Sequence, residues 1–247
     1  MKTKYLSRLF LLVFSCAACF ADEGNWLFNA PPVAQIKAKY GFALAPEWLD
    51  HIRLAAVRFD NGGSGAFVSS DGLTITNHHL AQDCLQGLSH SSQDFFRPAF
   101  YASRPKDELR CPSLELNVVE QISDVTDKIN AAVRPGMDDV TAANARKAAM
   151  AGIEKDCAAA AGIRCDVVTL YSGALYHLYR FKKYTDVRLV FTPEFQMAFF
   201  GGDPDNFEFP RYDLDVAFFR VYENGRPVHP EHYLKWSHDG AKEGRKD

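Results

Sequence analysis

Gly62-Gly63-Ser64-Gly65-Ala66-Phe67-Val68-Ser69-Ser70-Asp71-Gly72-Leu73-Thr74-Ile75-Thr76-Asn77-His78-His79 decides how this chain is read. It opens as a small-residue loop. Residues 65–69 and 73–77 are rich in β-formers, and Asp71-Gly72 between them is a strong hairpin signal. A histidine ends the second strand. A side chain at that place is held by the sheet yet open to a cleft, which is what a general base needs. His79 is the candidate base and His78 its neighbour. On a strand, adjacent side chains point to opposite faces, so the two are not expected to share a ligand.

The second stretch with chemical content is Phe200-Gly201-Gly202-Asp203-Pro204-Asp205-Asn206-Phe207-Glu208-Phe209-Pro210-Arg211, followed by Tyr212-Asp213-Leu214-Asp215-Val216-Ala217-Phe218-Phe219. Asp215 precedes an apolar strand. A carboxylate there is half-buried by its neighbours and can orient an imidazole while staying ionised. Asp213 is the competing carboxylate. The acidic run at 203–206 does not make a calcium loop, because its sixth and twelfth places hold Glu208 and Leu214 rather than Gly and Glu. With no H-E-x-x-H motif either, no metal site and no cofactor are expected.

The amino terminus reads as a secretory leader. Lys2, Lys4 and Arg8 precede an apolar core that runs to Phe20, and cleavage is expected after Ala21. That makes 1–21 a signal peptide, 22–247 the mature domain and its expected location the periplasm or the outer membrane. No other long apolar stretch occurs, so no membrane span is expected. Beyond the leader, Cys84, Cys111, Cys157 and Cys165 remain, an even number that suggests disulfides in an exported chain. Cys157 and Cys165 flank an Ala/Gly-rich turn, which leaves Cys84 with Cys111. Sequence alone does not choose among the possible pairings.

Composition fits a globular domain: 47% hydrophobic, 13% aromatic, net charge −3. No basic stripe exists to neutralise phosphates, which argues against a nucleic-acid partner. Short helices are expected at 33–40 and 48–53, and longer ones at 124–133 and 141–160. Strands are expected at 55–59, 114–122, 167–171, 175–179, 185–191, 197–200 and 216–222. This is a mainly β domain with helical decorations.

The hairpin resembles the G-x-G-F-V-x-x-x-G-x-x-x-T-x-x-H pattern of chymotrypsin-like serine peptidases, and Asp215 resembles their triad aspartate. More specifically, Trp26-Leu27-Phe28-Asn29 with its double proline, Gly62-Gly63-Ser64-Gly65, Thr76-Asn77-His78-His79 and Gly201-Gly202-Asp203-Pro204-Asp205-Asn206 resemble the bacterial dipeptidyl-peptidase 7/11 family of serine exopeptidases. The likeness runs from about residue 24 to the region of Trp236. It implies the first part of a chymotrypsin-like double β-barrel, incomplete in this chain, and release of dipeptides from peptides with a free N-terminus. It implies His79 as base, Asp215 as its partner, and Asn206 as a ligand of the substrate's α-amino group. Phe207 stands where many members carry Trp, and Leu80 where many carry Cys.

After Asp215 the sequence offers Ser237 as its one serine, without the preceding glycine of a Gly-x-Ser-Gly setting. Ser64 precedes the histidine hairpin and reads as a strand start. The chain is therefore expected to be part of a longer protein whose nucleophile lies outside it, and to be inactive alone. The rival readings are a secreted trypsin-like endopeptidase and a non-catalytic, peptide-binding pseudoprotease.

Overall fold

The computed structural model describes residues 26–205 and 208–240. The chain divides into two compact units, Met1–Leu44 and Ala45–Asp247. In the first, helix α1 (Val33–Tyr40) follows the double proline and stops at Gly41. Gly41 sits at φ +69°, where a Cβ is disfavoured, and its N–H bonds to the Lys37 carbonyl at 3.0 Å.

The second unit begins with α2 (Pro46–Ala55), which opens on proline and runs straight into β1 (Ala56–Phe59). The hairpin follows as β2 (Ser64–Phe67) and β3 (Leu73–Thr76), with Ala66 opposite Ile75. Gly72 turns it at φ +76°, close against Val228 and the Val221 carbonyl. Next come α3 (Gln82–Leu88), β4 (Phe100–Tyr101), β5 (Leu109–Arg110) and β6 (Leu116–Asp124). Helices α4 (Thr126–Asn130) and α5 (Asp139–Cys157) precede β7 (Ile163–Leu170), β8 (Leu175–Tyr184) and β9 (Asp186–Thr192). Short helices α6 (Phe195–Ala198) and α7 (Gly202–Asp205) lead to β10 (Ala217–Glu223) and β11 (Arg226–Pro227).

The strands form one antiparallel sheet in the order β4-β9-β10-β3-β2-β1-β6-β8-β7, with β5 on β9 and β11 on β10. Phe59, Phe67, Leu116, Leu189 and Phe219 are fully buried and come from β1, β2, β6, β9 and β10. They share one core, so the sheet curls around a single face. Each such side chain contributes about 1.5–3 kcal/mol by leaving water. Strand β8 comes back beside β10, where Lys182 Nζ lies 3.5 Å from Glu223. A smaller core of Ile129, Ile153, Val167 and Tyr176 holds α4 and α5 against β7 and β8. Disulfides join Cys84 to Cys111 and Cys157 to Cys165, with Cα atoms 5.2 and 6.0 Å apart.

The chain is mainly β with helical decorations; several expected elements shift in bounds, with β7 starting at Ile163 rather than 167 and β8 running to Tyr184 rather than 179, and three differences have a local cause. Residues 197–200 are not a strand: Met197 and Ala198 end α6, and the chain then turns. A short apolar run reads equally as strand or buried helix, and here Pro193 has already closed β9. The expected helix at 124–133 shrinks to α4 because Asp124 still belongs to β6 and its carboxylate accepts the Thr126 N–H at 2.8 Å. The helix expected at 141–160 starts earlier, at Asp139, because the Asp138 side chain caps it through Thr141 N–H at 2.7 Å.

Candidate active site

Pairing of β3 with β10 brings two distant segments together. Thr76 lies opposite Ala217, and the strands run antiparallel. Residues just after Thr76 therefore sit beside residues just before Ala217. The register sets His79 against Asp215, 136 residues away.

The hairpin's alternation continues past the strand end. Thr74, Thr76, His78 and Leu80 are buried, while Asn77 and His79 face outward. The buried hydroxyls are satisfied: Thr74 donates to the Phe219 carbonyl at 3.2 Å and Thr76 to the Ser64 carbonyl at 2.7 Å. A 3-10 turn over His78–Ala81 then carries the imidazole of His79 into the open, with the side chain 58% exposed.

Asp215 grips this histidine at both oxygens. Oδ2 lies 2.7 Å from His79 Nδ1, and Oδ1 accepts the His79 backbone N–H at 3.0 Å. Facing a carboxylate, Nδ1 must carry the proton, which leaves Nε2 as an acceptor toward solvent. Asp215 itself is only 14% exposed. Asn77 adds a third grip, its Nδ2 lying 3.1 Å from the Asp215 carbonyl oxygen and 3.2 Å from Oδ2. The competing Asp213 is paired with Arg211 instead.

His78 is a different kind of residue. It is 1% exposed and packs against the Phe195 ring at 6.2 Å. Burial holds its pKa below the usual histidine value; the Asp215 charge opposes this and His79 reinforces it. Its Nε2 has no hydrogen-bond partner among the described residues. A neutral, enclosed imidazole anchors the turn; it borders the cavity at His79 but is buried rather than open to it.

A cavity of about 320 Å³ opens at His79, with Asn77, Gln82, Ala198, Phe199 and Arg211 among its walls. Neither Ser64 nor Ser237 is among the residues lining it. Ser64 starts β2 opposite Arg58, and the Ser237 carbonyl accepts the Gly240 N–H at 3.3 Å. Asn206 and Phe207 lie outside the described residues. The segment that follows them contains a cis Phe209–Pro210 bond. Sequence reasoning did not pick out Asn77, although its place two residues before His79 in an alternating run puts it on the same open face. Chemically, the arrangement is a carboxylate-buttressed imidazole that can accept a proton from a nucleophile brought to the cavity.

A sequence model of the family described as Peptidase S46 matches residues 21–246. The chain belongs to that family. It is 31% identical to the dipeptidyl-peptidase 7 of Phocaeicola vulgatus over 264 aligned residues, covering 96% of this chain and 37% of that protein. It is 30% identical to the Asp/Glu-specific dipeptidyl-peptidase of Porphyromonas endodontalis, covering 95% and 36%. A crystal structure of Porphyromonas endodontalis DPP11 in complex with the dipeptide Arg-Glu superposes with a TM-score of 0.74 at 27% identity, covering 90% of this chain and 36% of that one. The chain thus spans a little over a third of the length of the relatives it matches.

Proposed function

We propose that this chain carries the histidine–aspartate half of a serine-type dipeptidyl peptidase, acting on peptides with a free N-terminus and needing no cofactor. The observation that carries the reading is the 2.7 Å contact between His79 Nδ1 and Asp215 Oδ2 at the mouth of a cavity. The names of the relatives in the same family support the substrate class.

In this reading a serine outside these 247 residues attacks the scissile carbonyl. His79 Nε2 takes the hydroxyl proton and returns it to the leaving amine. Asp215 fixes the tautomer and stabilises the imidazolium, and backbone amides near the serine hold the oxyanion. Asn206 accepts from the substrate's α-ammonium, with Phe207 as an aromatic wall. The leader at 1–21, which lies outside the described residues, directs export to the periplasm or outer membrane.

The test compares a dipeptide reporter with its amino-acetylated form on the full-length gene product. The free form should have the higher kcat/KM, and Asn206→Ala should narrow the gap, because removing the amide leaves a buried charge partly unpaired. A wild-type preference for the acetylated reporter would favour the endopeptidase reading. Complete inactivity of a folded full-length product would favour the pseudoprotease.

A further inference from the structure

We propose that Asn77 is a positioning residue that locks the Asp215 carboxylate in the orientation His79 requires; the inference rests on the reading of His79 and Asp215 as a base and its partner. The amide of Asn77 meets Asp215 twice, at the backbone carbonyl (3.1 Å) and at Oδ2 (3.2 Å). Both atoms are acceptors, so Nδ2 and not Oδ1 must face them, and each of its two hydrogens has a separate target. One side chain therefore ties the aspartate's backbone to its own carboxylate. That bridge restrains rotation of the carboxylate about the side-chain bonds.

The bridge fits the rest of the site. Oδ2 accepts from Asn77 Nδ2 and from His79 Nδ1, while Oδ1 accepts from the His79 backbone N–H. The carboxylate thus faces donors on both oxygens. Swinging it away from Nδ1 breaks the Asn77 contact in the same movement. The ladder between β3 and β10 ends at Thr76 and Ala217, and Asn77 carries the connection one step further, to the residue that matters chemically. Asn77 is exposed, so packing is not its evident task.

A merely structural clip and a positioning residue differ in what they change. Without the bridge, the carboxylate samples other orientations, and neutral His79 shifts toward the Nε2–H tautomer common in solvated histidines. The experiment uses the full-length gene product labelled with ¹⁵N-histidine, with His79 assigned by loss of its signals in His79→Gln. Tautomer, solvent exchange of the Nδ1–H proton and thermal midpoint are measured for wild type, Asn77→Ala and Asn77→Ser.

The wild type should show the Nδ1–H tautomer with a protected proton. Asn77→Ala should raise the Nε2–H fraction and speed the exchange at least tenfold, with an unchanged thermal midpoint. Asn77→Ser, which keeps one donor on a shorter arm, should fall between. If Asn77→Ala fails to fold, the serine variant alone decides, by the same shift. An unchanged tautomer and exchange rate in a folded variant would overturn the proposal. This readout needs no turnover, so its failure is distinct from failure of the peptidase reading.

Discussion

Replacing Asp215 by asparagine probes the site more sharply than deleting it, because shape is kept and one set of acceptors is lost. Every group touching this carboxylate is a donor: His79 N–H at Oδ1, and His79 Nδ1 and Asn77 Nδ2 at Oδ2. An amide has one oxygen and one NH₂, so a donor must meet a donor whichever way it turns. The orientation with fewest conflicts on the histidine keeps the oxygen on the His79 backbone N–H and sets the NH₂ against Nδ1. Nδ1 then has to be an acceptor, the proton moves to Nε2, and the atom that should take the serine proton is blocked. By analogy with the worked serine-protease triad, the wrong tautomer costs on the order of 10⁴-fold in kcat. At about 1.36 kcal/mol per decade that is about 5.5 kcal/mol of barrier. The cost to folding should be much smaller, about 1–3 kcal/mol for the unsatisfied donors and toward the low end because His79 and Asn77 reach water. The assay is kcat on a free dipeptide reporter with the full-length gene product, paired with a denaturant midpoint. A loss of less than tenfold at full saturation would refute the tautomer argument, and so would a loss explained by unfolding.

Three further outcomes follow from the fold. Removing the Cys84–Cys111 disulfide should destabilise the chain by about 3.5 kcal/mol and removing Cys157–Cys165 by about 2.5 kcal/mol, the loops spanning 27 and 8 residues; equilibrium unfolding of the double-alanine variants checks the order, and four free thiols by mass spectrometry in the purified protein would end the claim. Gly65→Ala should weaken the hairpin, because a Cβ there lies 2.3 Å from the Ile75 carbonyl oxygen and would push β2 from β3; a thermal midpoint equal to wild type would count against the pairing. Burial, with the Glu108 hydrogen bond at 2.8 Å, raises the Tyr222 phenol to about 12. A raised pKa favours the neutral form in the folded state, so this contribution is complete below about pH 10 and is lost as pH climbs to about 12. Tyr222→Phe should therefore lose stability less steeply than wild type across that window, as read by urea midpoints.

What the sequence disclosed was mostly local. Runs of β-formers and Asp71-Gly72 gave the hairpin, and Pro46 ahead of residues 48–53 gave α2. The outward-facing His79 and inward-facing His78 follow from a period of two that survives one turn beyond the strand. Resemblance, not spacing, singled out Asp215 over Asp213. Only the pairing of Thr76 with Ala217 shows why Asp215 faces His79, since long-range register leaves no local mark in a sequence. The same gap hid Asn77, whose importance lies entirely in a partner 138 residues away. Residues 197–200 misled because Met-Ala-Phe-Phe is apolar without a period. Two of them, Phe199 and Ala198, instead wall the cavity.

The most direct measurement is the identity of the products. Mass spectrometry of peptides incubated with the full-length gene product should show dipeptides released in succession from free amino ends, none from amino-acetylated peptides, and no release by a folded His79→Ala variant. Internal cleavage of acetylated peptides, or unchanged release by His79→Ala, would contradict the account.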